Sequence, residues 1–277
     1  MNSSINVVLN DGTPMPRIGF GTNVLQGQSG ITAIETALKT GYRLIDTAQS
    51  YGNEEEVGQA VADSGLSRED VFITTKIKEK NQGYQKTIDS LQDSLEKLQL
   101  DQVDLALVHW PSRENFDLSI ETWKALIDLR EQGKVKAIGV SNYTSDLIQR
   151  TMDASGVVPA VNQVEFHPFL FQKALMDYCQ DNEILIESYC PIARADLVEK
   201  PVLQRLAEKY NKSPVQVILR WHLEHNLVPI PRSTDPDHIK ENLEIFDFSL
   251  TADETAEMDA LDEGYRIIDS PRGPWNW

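Results

Sequence analysis

Short apolar runs alternate along the chain with longer amphipathic stretches. The runs are typical of β-strands, and the apolar residues of the longer stretches recur at helical spacing. The strand candidates are residues 17–20, 43–46, 71–76, 103–109, 136–140, 161–165, 185–188 and 228–230. Helix candidates are residues 31–40, 87–98, 118–132 and a segment that begins at Ser213-Pro214. Eightfold strand–helix alternation predicts an α/β fold, a (β/α)8 TIM barrel. A doubly wound open sheet is the alternative.

Both ends of the chain depart from this alternation. Residues 7–9 and the segment after Pro16 flank Asn10-Asp11-Gly12, a tight-turn signal that predicts an N-terminal β-hairpin. Residues 264–277 contain two prolines, two glycines and two tryptophans without a helical period, so we expect an ordered C-terminal tail over the barrel mouth. No linker rich in Gly, Ser or Pro interrupts residues 1–277, which predicts a single domain.

Composition narrows the possible partners. The 277 residues carry a formal net charge of −17, which disfavours nucleic acid and anionic membrane surfaces. The N-terminus lacks the pattern of a signal peptide, and no apolar run approaches the length of a membrane span. Two cysteines, Cys179 and Cys190, are typical of reduced thiols, so we expect a cytoplasmic protein.

Four residues at predicted strand ends suggest chemistry: Asp46, Tyr51, Lys76 and His109. A tyrosine is a poor acid at neutral pH unless a nearby cation stabilises its anion, and Lys76 is the candidate cation. Asp46 would supply the counter-charge that a buried lysine needs. A neutral His109 would orient a carbonyl oxygen. Carbonyl reduction is the reaction that needs one proton donor beside a polarised carbonyl group, so these four residues predict that chemistry.

Other interpretations of these residues stay open. Asp46 and Lys76 can form a purely structural ion pair, with Tyr51 at the rim and His109 in the core. A lysine at a strand end can also form a Schiff base, which would make the protein a lyase that uses Lys76. A third alternative is a non-catalytic cofactor-binding barrel. The histidines at 167, 222 and 225 do not form a metal set, and we expect no metal.

Further polar residues follow other strands. Gly19-Phe20-Gly21-Thr22 lacks the third glycine of a dinucleotide fingerprint and is expected to form the turn after the first strand. Ser141, Asn142 and Gln163 would present polar groups that can hold a carboxamide. Arg232 and Ser233, with the helix N-terminus that follows, would suit an anion.

With these residues assembled, the chain resembles the aldo-keto reductase superfamily over nearly its whole length. It is most similar to the bacterial 2,5-diketo-D-gluconic acid and methylglyoxal reductase group. The matching motifs are residues 41–48, 51–54, 74–76, 107–111, 139–142, 162–163 and 230–233.

The resemblance implies an NAD(P)H-dependent reductase of aldehydes and ketones, among them small dicarbonyls and keto-sugar acids. It implies that Tyr51 is the general acid of a catalytic tetrad with Asp46, Lys76 and His109. It also implies an NADPH site without a Rossmann domain, and monomers. The implied cofactor-binding residues are Gly21, Thr22, Asp46, Ser141, Asn142, Gln163, Tyr189, Pro191, Ile192, Ile230, Arg232, Ser233, Thr234, His238, Glu241 and Asn242.

Three departures from the family pattern concern specificity. His238 replaces the usual arginine, and because arginine grips phosphate more strongly than histidine, we expect a weakened NADPH preference with some use of NADH. Lys78 replaces a tryptophan and would attract a carboxylate if it faces the substrate. Asn23 and Ser50 make the pocket mouth more polar and wider, with Trp110 as its remaining aromatic wall.

Overall fold

The computed structural model describes residues 6–193 and 198–276. Over these residues the strands are β1 (Asn6–Val8), β2 (Pro14–Pro16), β3 (Phe20–Gly21), β4 (Leu44–Asp46), β5 (Phe72–Ile77), β6 (Val103–Val108), β7 (Val135–Ser141), β8 (Val161–Glu165), β9 (Leu185–Tyr189) and β10 (Val228–Pro229). The α-helices are α1 (Gly27–Thr40), α2 (Glu54–Asp63), α3 (Tyr84–Leu98), α4 (Phe116–Glu131), α5 (Ser145–Ser155), α6 (Lys173–Asp181), α7 (Pro201–Tyr210), α8 (Pro214–Glu224), α9 (Pro236–Glu241) and α10 (Ala252–Asp259). None of these helices is long and apolar enough to cross a bilayer.

Strands β3 to β10 form one parallel sheet in chain order. Backbone hydrogen bonds join its two edges, from Gly19 N to Pro229 O and from Gly21 N to Pro231 O, both at 3.0 Å. A Cβ atom on Gly19 would lie 2.6 Å from the Leu44 side chain, so the seam requires glycine there. These bonds close the sheet. The predicted (β/α)8 barrel is confirmed, and the open doubly wound alternative is wrong.

The barrel interior is packed with side chains that alternate along the strands. Its apolar part consists of Leu44, Phe72, Leu105, Leu107, Ala137, Val161, Leu185, Val228 and Ile230. Leu9 and Met15 of the N-terminal hairpin belong to the same cluster. Because Leu44 and Phe72 begin their strands, the hairpin closes the amino end of the barrel and leaves the carboxyl end for a site.

The predicted hairpin exists, but its second strand was placed too late. β2 is Pro14–Pro16 and pairs antiparallel with β1, whereas the sequence suggested the segment after Pro16. The turn is tight, with hydrogen bonds from Gly12 N to Leu9 O and from Leu9 N to Thr13 O. The chain therefore reverses at once and pairs before it enters the barrel.

The apolar period predicted the buried turns of the helices better than their first turns. α1 begins at Gly27 and α3 at Tyr84, three or four residues before the expected starts, because those first turns are exposed and polar. The expected start of α8 is confirmed, since the Ser213 hydroxyl accepts a hydrogen bond from Gln216 N and Pro214 is the first helical residue.

The C-terminal tail, residues 264–276, folds back over the carboxyl end of the barrel. The backbone N–H groups of Ile267 and Ile268 donate to the Glu165 carboxylate at 2.6 and 2.8 Å. The Arg266 guanidinium stacks on Trp275, 3.7 Å from the ring centroid, and the Trp275 ring contacts Trp110 at 5.9 Å between centroids. The expected tail over the mouth is confirmed for these residues, while Trp277 lies outside the described residues.

Candidate active site

A cavity of about 440 Å³ opens at the carboxyl end of the barrel strands. It is lined by Gly21, Asn23, Asp46, Ser50, Tyr51, Lys78, Glu79, His109, Trp110, Ser141, Asn142, Gln163, Tyr189, Cys190, Pro191, Ile192, Ile230, Pro231, Arg232, Ile268 and Arg272. Most of the residues predicted for the site lie in this wall. Active sites of β/α barrels usually lie at the carboxyl ends of the barrel strands.

Lys76 lies directly under the cavity floor and is fully buried. Its Nζ atom donates to both carboxylate oxygens of Asp46 at 2.6 Å, to Thr47 O at 2.9 Å and to the Tyr51 hydroxyl at 3.3 Å. β4 and β5 are neighbours in the sheet, so the two inward side chains meet. The structure thus brings Asp46, Lys76 and Tyr51 into one contact group, as the sequence predicted.

Opposing effects set the acidity of this group. Loss of hydration raises the pKa of Tyr51, while Lys76 acts in the other direction by charge and hydrogen bonding. Burial acts to lower the pKa of Lys76, but Asp46, Tyr51 and Glu187 together raise it. Lys76 is therefore a retained cation that offsets part of the burial penalty on the Tyr51 anion.

His109 follows β6 and faces Tyr51, with ring centroids 5.8 Å apart. Burial holds the pKa of His109 well below its usual value, and the charges of Lys76 and Arg272 lower it further. The imidazole is consequently neutral at neutral pH. Its Nδ1 atom lies 3.2 Å from the Ser50 hydroxyl, which leaves Nε2 for a ligand in the cavity.

A second polar group forms the cavity wall across from β4. The Asn142 amide donates to His109 O and to the Ser141 hydroxyl, both at 3.0 Å, and accepts from the Tyr189 hydroxyl at 2.8 Å. Asn142 has φ 64°, a left-handed conformation that asparagine tolerates. The predicted Ser141, Asn142, Gln163 and Tyr189 therefore lie together, and their hydrogen bonds fix the direction of each side chain.

Beneath this wall lies Glu187, which was not predicted from the sequence. Glu187 is fully buried on β9, and its Oε2 atom is 2.5 Å from Gln163 Nε2. The same nitrogen donates to Asp46 Oδ1 at 2.7 Å. Burial raises the pKa of Glu187 to about 8, and the Asp46 charge contributes. The available signal was a lone acid inside an apolar strand, two residues before Tyr189 and hence on its inward face.

The residues predicted for the far end of a cofactor divide into two sets. Arg232 lines the cavity. Ser233, Thr234, His238, Glu241 and Asn242 lie beyond it, from the loop after β10 to the residue that follows α9, and His238 is exposed. The helix N-terminus expected to receive an anion is already capped, because the Asp235 carboxylate accepts from Asp237 N and His238 N. Side chains, rather than those amides, remain for an anion.

Thr22 does not line the cavity. Its hydroxyl is buried and donates to Asp46 O at 2.9 Å, which ties the end of β3 to β4. Gly21 does line the cavity, and a Cβ atom there would lie 3.0 Å from Ile230 O. Bare backbone at this position lets a ligand approach the seam closely.

The mouth contains the four predicted substrate-pocket residues, Asn23, Ser50, Lys78 and Trp110. It also contains residues that no sequence pattern indicated: Glu79, Cys190, Ile268 and Arg272. Arg272 comes from the tail and pairs with Glu79, with Nη1 3.1 Å from Oε2. The sequence of the tail has no helical or strand period, so it gave no signal for this contact, which depends on tertiary folding.

Three histidines outside the cavity have protein partners. His167 lies 3.0 Å from the Glu165 carboxylate, His222 contacts backbone carbonyls, and His225 pairs with Asp259 at 2.7 Å. Among residues 6–193 and 198–276 no group of three or more His, Cys, Asp or Glu side chains could hold a metal ion.

The carboxyl end of this barrel presents a tyrosine beside a buried lysine–aspartate pair and a neutral histidine, a set that can orient a carbonyl oxygen and give it a proton, as a carbonyl oxidoreductase requires. The family profile of the aldo/keto reductases matches residues 17–263. The chain therefore belongs to the aldo/keto reductase family and is an oxidoreductase that reduces carbonyl groups, as the resemblance implied.

Curated relatives match over nearly their full length. Glyoxal reductase of Bacillus subtilis (strain 168) is 43% identical over 266 residues, which covers 96% of this chain and 95% of that protein. 2,5-Diketo-D-gluconic acid reductase B of Corynebacterium sp. (strain SHS752001) is 43% identical over 259 residues, covering 93% of each chain. Methylglyoxal reductase DkgA of Escherichia coli (strain K12) is 42% identical over 267 residues, covering 96% of each chain. The expected similarity to this bacterial group is confirmed.

Solved structures share the fold. The aldo-keto reductase of Bombyx mori, solved in complex with NADP, superimposes with a TM-score of 0.89 at 35% identity. The match covers 95% of this chain and 94% of that one.

Proposed function

We propose that this protein reduces small aldehydes and ketones with a nicotinamide cofactor, preferentially NADPH, and that Tyr51 is the proton donor. The observation that carries the proposal is the contact of the Tyr51 hydroxyl with Lys76 Nζ at 3.3 Å, at the floor of a cavity that also presents a neutral His109. When bound, the cofactor supplies a hydride to the carbonyl carbon.

The side chains supply the proton and stabilise the negative charge that its transfer leaves on Tyr51. The carbonyl oxygen accepts a hydrogen bond from His109 Nε2 and takes the proton of the Tyr51 hydroxyl as negative charge develops on it. The resulting tyrosinate is stabilised by Lys76, which Asp46 keeps charged and in place. Tyr51 regains its proton from solvent at the cavity mouth before the next turnover.

The residues around the cavity fit a nicotinamide group. The Gln163 amide nitrogen is held by two acids, so its oxygen is left for a carboxamide N–H. Asn142 Oδ1 accepts from Tyr189 and retains a second lone pair. The Tyr189 ring lines the cavity and offers a face for stacking. The NADP complex of the Bombyx mori relative supports a cofactor of this class.

The opposite end of the cofactor would lie against Arg232, Ser233 and Thr234, with Glu241 and Asn242 near its adenine. Arg232 gives one guanidinium for a phosphate. His238 is exposed on α9, where the family more often has arginine. We therefore propose that NADPH is preferred less strongly than in typical relatives and that NADH is also used.

The substrates that fit the mouth are small dicarbonyls and keto acids. The names of the relatives, glyoxal, methylglyoxal and diketogluconic acid reductases, point to such compounds. Asn23 and Ser50 give polar walls, and Lys78 adds a cation at the mouth beside the Arg272–Glu79 ion pair. A substrate with a carboxylate or a second carbonyl oxygen would gain contacts there that a simple alkyl aldehyde lacks.

The lyase alternative is disfavoured by the surroundings of Lys76. A Schiff base needs an uncharged amine that can reach the substrate. Lys76 Nζ instead donates to three oxygens within 2.9 Å, and its pKa is raised. Borohydride trapping of substrate onto Lys76 would support that alternative.

We also propose that the enzyme acts as a cytoplasmic monomer without a nucleic-acid partner. The formal net charge of −17 supports the last point, because nucleic-acid binding needs clustered cations. Gel filtration with light scattering is expected to give the mass of one chain, 31.3 kDa.

The decisive experiment compares the wild type with Tyr51→Phe. Oxidation of NADPH by methylglyoxal, a diketogluconate, simple aldehydes and aromatic ketones is followed by absorbance. Tyr51→Phe keeps the ring but removes the proton donor, so we expect kcat to fall by about a hundredfold or more. NADPH affinity, measured by fluorescence, should stay within about threefold. Full kcat in Tyr51→Phe would overturn the assignment of the donor, and tight NADPH binding without wild-type turnover would support a non-catalytic barrel.

A further inference from the structure

Glu187 is an acidic residue in an unusual position. It is fully buried inside the barrel, one layer below the cavity floor, and its Oε1 atom has no hydrogen-bond partner in the described structure. A buried carboxyl is costly, and a buried acid with an unpaired oxygen more so. The apolar layer does not need the Glu187 side chain for its packing, because Leu185 fills the adjacent inward position of the same strand. Its contacts therefore indicate a role.

The contacts converge on one amide. Gln163 Nε2 donates one hydrogen to Asp46 Oδ1 at 2.7 Å and the other to Glu187 Oε2 at 2.5 Å. An amide oxygen at this position would face the Asp46 carboxylate and be repelled, so the nitrogen is fixed there. Both donors are used by the acids, and the Gln163 oxygen is consequently held toward the cavity.

We propose that Glu187 is a positioning residue of the reductase, which holds the Gln163 carboxamide so that its oxygen receives the carboxamide of the nicotinamide ring and only one face of that ring meets the substrate. The proposal rests on the proposed function, because it assumes a nicotinamide against Gln163. Asp46 alone accepts only one of the two Gln163 hydrogens. Without Glu187 the second hydrogen would lack an acceptor and the amide would be held through Asp46 alone, so it could tilt about its terminal bond.

A neutral carboxyl suits this role. Burial and the Asp46 charge raise the pKa of Glu187, so the acid is largely protonated at neutral pH. Glutamine then replaces it closely in shape, charge and accepting oxygen, whereas methionine keeps the length but removes the acceptor. A neutral Glu187 also leaves the ionised Asp46 carboxylate as the counter-ion of Lys76.

The test uses NADPH carrying deuterium at C4 on one face or the other, with a simple aldehyde as the carbonyl probe. Mass spectrometry of the alcohol gives the fraction of label transferred. We expect wild type and Glu187→Gln to transfer label from one face only. Glu187→Met should transfer measurably from both faces and bind NADPH about tenfold or more weakly, because a buried donor loses its partner. A loss of fold alone would not change which face reacts.

Ser188→Ala is the matched control. Ser188 is the next residue of β9, buried, and its hydroxyl also lacks a partner, so this variant should behave as wild type. If Glu187→Met does not fold, Glu187→Asp takes its place, since the shorter side chain withdraws the acceptor from Gln163. Transfer from one face with unchanged NADPH affinity in the folded Met or Asp variant overturns the inference. Wild type that binds NADPH but reduces no carbonyl instead overturns the proposed function.

Discussion

At the scale of single residues, the site depends on three buried ionisable groups in different states. Lys76 is charged, Asp46 is its counter-ion, and Glu187 is held uncharged by burial and by the Asp46 charge. Each state depends on the others, because an ionised Glu187 would give Lys76 a second anion and weaken its effect on Tyr51. The electrostatic environment of the Tyr51 hydroxyl therefore extends below the visible cavity wall.

The state of Glu187 makes stability depend on pH. Its pKa is about 8 in the folded protein and near the ordinary glutamate value when unfolded, so the unfolded state loses its proton first as pH rises. The contribution of the Glu187 carboxyl to the free energy of unfolding is complete below about pH 4.5 and is lost progressively up to about pH 8. Asp46 opposes ionisation, whereas Lys76 and the Gln163 hydrogen bond favour it.

Glu187→Gln removes this titration. We expect its free energy of unfolding to gain on that of the wild type as pH rises from about 5 to about 8, by on the order of a few kcal/mol. Urea unfolding at both pH values measures the difference. Equal pH dependence in the two proteins would show that Glu187 is ionised in the folded state.

His238 tests the residue basis of cofactor preference. Arginine at this position can grip a 2′-phosphate bidentately, so His238→Arg should raise the kcat/KM ratio of NADPH to NADH by about tenfold. Asp237→Asn, an exposed neighbour on α9, makes the charge of the protein more positive without adding a guanidinium. An equal rise in both variants would mean that only the general charge of the region matters.

At the scale of elements, one carboxylate fastens the tail to the barrel. Glu165 is buried at the end of β8 and accepts from Ile267 N, Ile268 N and His167 Nε2. Burial alone would raise the pKa of Glu165, but these hydrogen bonds lower it. The carboxylate thus stays ionised at neutral pH and anchors the segment that carries Ile268 and Arg272 into the cavity mouth.

Glu165→Gln should loosen this anchor. The new amide nitrogen faces a backbone N–H, so one tail donor is left unsatisfied. We expect trypsin to cleave after Arg266 and Arg272 about tenfold faster and KM for keto acids to rise, while NADPH affinity stays near that of the wild type. Glu263→Gln, which alters only the exposed pair with Lys200, is the control and should match the wild type. Unchanged cleavage in Glu165→Gln would mean that packing on Trp110 is enough to hold the tail.

At the scale of the whole molecule, the barrel separates stability from chemistry along its axis. The hairpin and the apolar layer lie at the amino end, and the polar layer with the cavity lies at the carboxyl end. Met15→Ala should therefore cost about 2–5 kcal/mol in urea unfolding but leave kcat unchanged below the transition. Val8→Ala, exposed on the same hairpin, should cost little. A fall in kcat of the folded Met15 variant would show coupling between the two ends.

The same axis explains what could be predicted from the sequence. Apolar period and strand-end position predicted the barrel and brought Asp46, Tyr51, Lys76 and His109 together, because parallel strands place their ends at one rim. Contacts between distant strands, such as Glu187 with Gln163, carry no local pattern. Arg272 reaches Glu79 through an irregular tail, and the capping of α9 by Asp235 depends on side-chain direction, so neither followed from spacing.

The tail also affects how this enzyme could change over evolutionary time. The family profile ends at residue 263, and the segment that supplies Ile268 and Arg272 to the mouth lies after it in the chain. A short terminal segment can be exchanged without altering any barrel strand. We therefore expect that exchange of this one segment would change which carbonyl compounds are reduced, while Asp46, Tyr51, Lys76 and His109 keep their positions in the barrel.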